Sequence, residues 1–237
     1  LPANLVDLGA AVRASASHVG FAIDPDADRV ALVDENGQPL GEDYTLALAV
    51  AAIGARRPGP VVTTLSTSQT VTDAAQQAGC QVHLTAVGEV NVVEKMLQTG
   101  ATIGGEGNGG VVLTEVHPGR DAAVGVAVIL EALARTRQPL SVLAGRLPAY
   151  CIEKRKIDAT SAQVGRVVRL LRKRYPQAYL HPVQDGAKLY LARPFQCPWI
   201  HLRPSNTEPL VRVIAESAAA EEARRLCDEA ETLLRGN

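Results

Sequence analysis

Three carboxylates alternate in the stretch Asp24-Pro25-Asp26-Ala27-Asp28-Arg29. In extended backbone alternate side chains share a face, and a tight loop after a strand converges them on one point. Two carboxylates about 4 Å apart repel by roughly 4 kcal/mol at an effective dielectric near 20. Three converging anions therefore call for a cation among them. Oxygen-only donors select a hard ion, Mg²⁺ or Ca²⁺. The competing reading is a solvated acidic turn, and spacing alone leaves both open.

Two further stretches carry chemistry. The first is Gly104-Gly105-Glu106-Gly107-Asn108-Gly109-Gly110. Its glycines allow close backbone approach to a ligand and leave one carboxylate and one amide projecting from a loop. That pair suits a polyol, since Glu accepts from hydroxyls and Asn both accepts and donates. An ordinary glycine-rich turn is the bland alternative. The second is Arg203-Pro204-Ser205-Asn206-Thr207-Glu208-Pro209, with Arg212 on the strand beyond. A guanidinium, two hydroxyls, an amide and inward-pointing backbone N–H groups make a phosphate pocket. The same residues also form ordinary polar turns. Weaker anion candidates precede two helices: residues 85–89, containing Gly88 and Glu89, and His117-Pro118-Gly119-Arg120-Asp121.

The elements that must position these loops are legible from periodicity. Leu5, Leu8 and Val12 mark a helix, with Asn4 as its N-cap. Apolar runs at 19–23 and 30–33 read as strands into and out of the Asp loop. Asn36-Gly37 supplies a hairpin turn. Helices are expected over 43–53, from Ser68 to Gly79, over 88–97 and over 121–133. Strands are expected at 61–65, 82–84 and from Thr102. This alternation predicts a parallel α/β layer. Residues 135–140 read as a polar linker containing Pro139, and as a hinge. Beyond it the grammar changes to strands at 149–157, 188–192, 197–202 and 210–215. A helix face at Val164, Val167, Val168 and Leu171 joins them, as does a terminal stripe of Ala223, Leu226, Cys227, Ala230, Leu233 and Leu234.

The bulk composition narrows the classes. The chain has 237 residues, enough for one large domain or two modest ones. Aromatics are 3%, so the cores must be built from Ala, Val, Leu and Ile. A net charge of −1 makes no case for nucleic acid, and any anion must be held by local basic loops. Cys80, Cys151, Cys197 and Cys227 form no C-x-x-C pair, which argues against zinc and a disulfide framework and points to a cytoplasmic protein. No secretory signal or membrane span is visible. The chain opens at Leu1 directly into an amphipathic pattern, as a chain cut from something longer would.

Taken together, the three loops resemble the α-D-phosphohexomutase superfamily of phosphoglucomutases, phosphomannomutases and phosphoglucosamine mutases. DPDADR, from Asp24 to Arg29, is similar to that family's Mg²⁺ loop. GEGNGG, from Gly105 to Gly110, is similar to its sugar loop, and RPSNTEP, from Arg203 to Pro209, to its phosphate loop. The resemblance covers the whole chain but only about the second half of the family pattern. It implies an α/β fold in three parts: an incomplete metal-loop segment (1–40, the end of domain 2), a mixed α/β sheet domain for sugar (41–138, domain 3), and a smaller α+β C-terminal domain for phosphate (139–237, domain 4).

Carried over residue by residue, Asp24, Asp26 and Asp28 would ligate Mg²⁺, and Arg29 would support the phosphoserine or the transferring phosphate. Glu106 and Asn108 would hold sugar hydroxyls, with Gly88 and Glu89 at the sugar edge. Arg203, Ser205, Asn206 and Thr207 would clamp the non-reacting phosphate, helped by Arg212. The implied reaction moves a phosphate between O1 and O6 of a hexose phosphate through a phosphoserine and a bisphosphorylated sugar. The serine's T-A-S-H-N-P context is absent here. Ser15-Ala16-Ser17-His18 echoes it without the Asn-Pro and lies beside the metal loop, so Ser17 is not the nucleophile. The chain alone is therefore expected to be inactive. Relatives often carry Ser where this chain has Asn108, His where it has Gly110, and in some cases a Lys where it has Leu65-Ser66-Thr67-Ser68. These departures leave the sugar open among glucose, mannose and glucosamine.

Three rivals remain. Asp24, Asp26, Asp28 and Glu35 match positions one, three, five and twelve of an EF-hand calcium loop, but Arg29 stands where the turn needs Gly. A haloacid-dehalogenase-like phosphatase would leave the third Asp and both later loops without a role. A non-catalytic sugar-phosphate-binding fragment is the third.

Overall fold

A computed structural model describes residues 2–182, 185–205 and 208–236. The chain divides into two compact units, Leu1–Pro148 and Ala149–Asn237.

The first unit opens with a short 3₁₀ turn, Pro2–Leu5, and helix α1, Val6–Ala14. Asn4 lies inside the turn, so it does not cap the helix. Strands β1 (Val19–Ile23) and β2 (Val30–Asp34) form an antiparallel hairpin in register Val19↔Asp34 to Ile23↔Val30. The two apolar runs thus pair with each other, and the acidic stretch becomes the loop between them. Leu5 and Val12 pack on Val33 beneath it.

A four-stranded sheet follows. Helix α2 (Tyr44–Gly54) leads into β3 (Pro60–Thr64); then come α3 (Gln69–Gln77), β4 (Gln81–Thr85), α4 (Glu89–Thr99), β5 (Ile103–Glu106) and β6 (Gly110–Leu113). Ser68 caps α3 as expected, accepting from the Thr70 N–H. The strand order is β4-β3-β5-β6. β3 is parallel to β4 and β5, but β6 returns antiparallel. The layer is therefore mixed rather than wholly parallel. Residues of α2, α3 and α5 (Ala122–Thr136) share one core with Val61, Ile103 and Val111. Val92 and Met96 of α4 meet Val62 and Val112 on the other face. Successive strand residues point to opposite faces, so both sides of the sheet are buried.

Residues 135–140 are not a linker. Thr136 ends α5, and Leu140 opens a further helix, α6 (Leu140–Ala144). Leu140 and Leu147 are buried in the first unit's core, so this unit runs to Pro148, ten residues past the expected boundary at 138.

The second unit is a five-stranded antiparallel sheet in order β7-β11-β10-β9-β8. Its strands are β7 (Cys151–Asp158), β8 (Tyr179–Leu180), β9 (Ala187–Tyr190), β10 (Trp199–Pro204) and β11 (Leu210–Ser217). Helices α7 (Ser161–Arg174) and α8 (Ala220–Arg235) cover one face. Val164, Val167 and Leu171 of α7, with Leu226, Cys227, Ala230 and Leu234 of α8, bury against Leu189, Ile200, Leu202, Val211 and Val213. Burial pushes the Cys227 thiol up to about 12. All four cysteines are unbridged. Among the described residues no helix is long and apolar enough to cross a membrane.

Candidate functional site

The acidic loop is closed by its own side chain. Asp24 Oδ1 accepts from the backbone N–H groups of Asp28 and Arg29, both at 3.2 Å, and Asp24 Oδ2 accepts from Arg29 Nε at 2.7 Å. Partial desolvation pushes the Asp24 carboxyl up, but the Arg29 hydrogen bonds outweigh it and hold it below its ordinary value. Asp28 Oδ2 lies 2.5 Å from Arg120 Nη2. Asp28 Oδ1 is buried with no hydrogen-bond partner, although Arg29 Nε stands 3.4 Å away. Asp26 is exposed.

The three aspartates therefore do not converge on one point. Among the described residues no three acidic, histidine or cysteine side chains are grouped so as to hold a metal ion. The physical reason is that Arg29 and Arg120 neutralise Asp24 and Asp28 in place of a cation. The donor chemistry still fits a hard ion. The donors are all oxygen, and the orphaned Asp28 Oδ1 is a buried acceptor that such an ion would satisfy.

The EF-hand rival fails on geometry. Its loop needs flanking helices, and the flanks are β1 and β2. Glu35, its twelfth position, instead accepts hydrogen bonds from the backbone and hydroxyl of Ser141.

The glycine-rich stretch is a hairpin rather than a loop. Gly104, Gly105 and Glu106 lie in β5, and only residues 107–109 turn. Gly105 has φ +151°, and a Cβ there would overlap the Gly110 carbonyl oxygen across the hairpin. Glycine permits both the conformation and the close approach. The turn is tied at both ends. Gly107 N–H donates to Thr67 Oγ1 at 3.2 Å, and Val30 N–H donates to the Gly109 carbonyl at 3.1 Å. The second bond joins the glycine-rich hairpin to the acidic loop. A third tie runs from Ala122 N–H to the Ala27 carbonyl, at the N-terminus of α5.

Glu106 does not project into solvent, as a loop position would require. Its side chain is 9% exposed. Its Oε1 accepts from the Gly88 N–H at 3.1 Å, and its Oε2 meets Arg120 Nη1 at 2.6 Å. Glu89 Oε1 accepts from the Arg120 N–H at 2.7 Å, and Glu89 Oε2 lies 3.3 Å from Arg120 Nε. Asn108 sits at the tip, its Oδ1 accepting from the Gly110 N–H. Glu89, Glu106 and Asp28 are thus gathered around one residue, Arg120, and Gly88 is tied to the group through Glu106. The sequence marked Arg120 only within a weak pre-helical candidate.

In the second unit Arg203 lies one residue before the end of β10, its Nε 3.1 Å from Asp185 Oδ1. Arg212 of β11 lies directly opposite Arg203, and Lys156 of β7 directly opposite Arg212. Three cations therefore stand in a row across three strands. Opposed side chains share a face, and like charges so placed destabilise the sheet. Lys156 was missed because only the strand register reveals it. Ser205 Oγ accepts from the Glu208 N–H at 3.3 Å. Asn206 and Thr207, both expected here, lie outside the described residues. His201, two residues before Arg203, has its Nε2 2.6 Å from the Asp185 carbonyl. Burial pushes its pKa down to about 4, so it is neutral at pH 7.

Charge divides between the units. Residues 1–148 carry nine Lys and Arg against fifteen Asp and Glu, a net of −6. Residues 149–237 carry fifteen against ten, a net of +5. The near-neutral total conceals an acidic unit and a basic one.

An α/β unit with an acidic hairpin loop is thus followed by an antiparallel unit with a basic loop. Comparison with known proteins gives the family that the three loops resemble. Residues 41–150 match the model of phosphoglucomutase/phosphomannomutase alpha/beta/alpha domain III, and residues 151–233 match that of the C-terminal domain. The chain belongs to the phosphoglucomutase/phosphomannomutase family. A protein named "Probable phosphoglucosamine mutase" from Methanopyrus kandleri is 34% identical over 230 residues, covering 96% of this chain and 50% of its own length. A crystal structure of a phosphoglucomutase/phosphomannomutase family protein from Burkholderia thailandensis superposes with a TM-score of 0.82 at 25% identity, over 100% of this chain and 51% of that one. N-acetylphosphoglucosamine mutase of Aspergillus fumigatus, solved with GlcNAc-6P and magnesium, shares the fold with a TM-score of 0.67 at 17% identity, over 91% of this chain and 48% of that one. The chain spans about half the length of the relatives it matches.

Proposed function

We propose that this chain is the metal-, sugar- and phosphate-binding half of a cytoplasmic phosphohexomutase. The reaction moves a phosphoryl group between O1 and O6 of a hexose phosphate, through a phosphoserine and a bisphosphorylated sugar. The observation that carries this reading is the row formed by Lys156, Arg212 and Arg203 beside Ser205. Opposed cations at this density are stabilised by a multivalent anion, and phosphate is the anion that such a cluster of charged donors fits.

The first unit would bind the sugar and the metal. Glu106 accepts from sugar hydroxyls, Asn108 both accepts and donates, and Gly88 and Glu89 border them. Asp24, Asp26 and Asp28 would hold Mg²⁺, which when bound supplies charge neutralisation to the transferring phosphoryl oxygens. Arg29 would support the phosphoserine or that same phosphoryl group. The second unit would clamp the non-reacting phosphate through Arg203, Ser205, Asn206 and Thr207, with Arg212 adding charge. Either phosphate must fit this clamp in turn, because the bisphosphorylated sugar reverses its orientation between the two transfers.

The 237 residues contain no T-A-S-H-N-P; on this reading the phosphoserine would come from outside them and the chain alone would turn nothing over. Calorimetric titration with glucose, mannose and glucosamine 6-phosphates tests the binding half of the reading and ranks the sugars. Binding that weakens at least about tenfold in R203Q supports it, by the loss of one charged donor. Equal affinity in R203Q and the wild type would sink it. The pairing of Arg29 and Arg120 with Asp24 and Asp28 favours one second reading, a sugar-phosphate-binding protein that uses no metal. Sugar-phosphate affinity independent of Mg²⁺, with no turnover beside a serine-bearing half, is its signature.

A further inference from the structure

Gly110 and Arg120 depend on each other. Gly110 opens β6, and a Cβ placed on it would overlap Arg120 Cδ and lie 3.1 Å from Arg120 Cγ. An arginine stem ordinarily swings away from such a contact. This one is anchored, because its head group meets Asp28 at 2.5 Å, Glu106 at 2.6 Å and Glu89 at 3.3 Å, and its own N–H donates to Glu89. Its side chain is only 17% exposed. The missing side chain at 110 is the room through which the Arg120 stem reaches Glu106.

Position 110 carries no side chain, and the guanidinium of residue 120 reaches across it. We propose that Arg120 is the positioning residue of the sugar site, and that Gly110 leaves the room that admits it. The inference rests on the proposed role of Glu106 as the sugar-hydroxyl acceptor.

The physical logic is one of charge and angle. Asp28, Glu89 and Glu106 are three carboxylates around one cation. Without Arg120, Glu106 keeps only the Gly88 N–H and faces two like charges. The planar fork spreads its three nitrogens over three carboxylates at fixed angles, Nη1 to Glu106, Nη2 to Asp28 and Nε towards Glu89, which a lysine point charge does not. Arg120 also bridges Asp28 of the acidic loop to Glu106 of the hairpin, so one side chain sets both.

The test uses the longer protein that includes the serine-bearing half, assayed for hexose phosphate interconversion. Glu106 makes the same hydroxyl contacts before and during transfer, so its misplacement raises KM more than it lowers kcat. R120K keeps the charge and loses the fork, and is expected to raise KM about tenfold with kcat within about threefold. G110A is expected to raise KM similarly by displacing the stem. In an R120A background the added G110A is expected to change KM by less than about twofold, since the clash is gone. Thermal midpoints are recorded alongside. Should R120A fail to fold, R120K and G110A carry the test alone. A wild-type KM in both R120K and G110A, in an active enzyme, overturns the positioning role and leaves the functional reading standing. A folded wild type with no interconversion overturns the functional reading and this inference with it.

Discussion

Replacing Arg212 by methionine is predicted to stabilise the free protein and to weaken its grip on phosphate. Arg212 of β11 faces Arg203 on one side and Lys156 on the other. Opposed Cβ atoms on antiparallel strands lie about 5 Å apart, and each exposed like-charge pair costs on the order of 0.5 kcal/mol. Removing the shared member relieves both pairs, for about 1 kcal/mol. Methionine keeps an apolar stem, so little packing is lost. A gain of about 1 kcal/mol raises the midpoint of a unit this small by roughly 4–8 °C. Binding moves the other way. A lost charge-assisted hydrogen bond is worth about 1.5–3 kcal/mol, or roughly 10- to 100-fold in affinity. Thermal unfolding in phosphate-free buffer reads the first effect, and calorimetric titration with inorganic phosphate and glucose 6-phosphate reads the second. A lowered midpoint together with an unchanged affinity would refute the reasoning, because Arg212 would then be an ordinary structural side chain.

Three further outcomes follow from particular residues. D26N is expected to leave the thermal midpoint unchanged, since Asp26 is exposed, while raising the Mg²⁺ concentration for half-maximal activity of the longer protein at least about tenfold. G105A is expected to cost at least about 2 kcal/mol in chemical denaturation, because alanine is strained at φ +151° and its Cβ meets the Gly110 carbonyl. His201 is buried neutral with its pKa pushed down to about 4, whereas the unfolded chain titrates near 6.5. The unfolded state therefore binds the extra proton as pH falls below 6.5, and stability is lost in that direction. The loss from this one group is about 2 kcal/mol between pH 7 and pH 5. Urea midpoints of the wild type and H201Q at both pH values check it, and H201Q is expected to show the shallower decline.

What the sequence disclosed depended on whether a feature was local. The hairpin around the acidic loop was legible because two apolar runs bracket Asp24 and Arg29 and nothing distant is needed to pair them. The terminal helix was legible because Leu226, Cys227, Ala230 and Leu234 keep helical spacing, and that stripe is the buried one. The phosphate-like loop showed its charge through Arg203 and Arg212. Lys156 did not show, because its place beside them is set by the register of β7 against β11. Arg120 was hidden for the same reason. Its partners, Asp28, Glu89 and Glu106, come from three other segments, and only the packed sheet brings them together. The glycine run read as a loop because flexibility was inferred from composition. In the fold those glycines serve close cross-strand approach, so β5 extends through Glu106. Pro139 and its polar neighbours read as a linker, but burial of Leu140 and Leu147 draws the segment into the first unit.

The central claim is that these residues supply the metal, sugar and phosphate sites of a phosphohexomutase and lack its phosphoryl-carrying serine. The most direct measurement is interconversion of hexose 1-phosphate and 6-phosphate, followed with Mg²⁺ present, for this chain alone and for the longer protein with the serine-bearing half. The account predicts turnover by the longer protein, its loss in D28N, and none by the chain alone. Turnover by the 237 residues themselves, or Mg²⁺-replete longer protein that binds hexose phosphate without converting it, would contradict it.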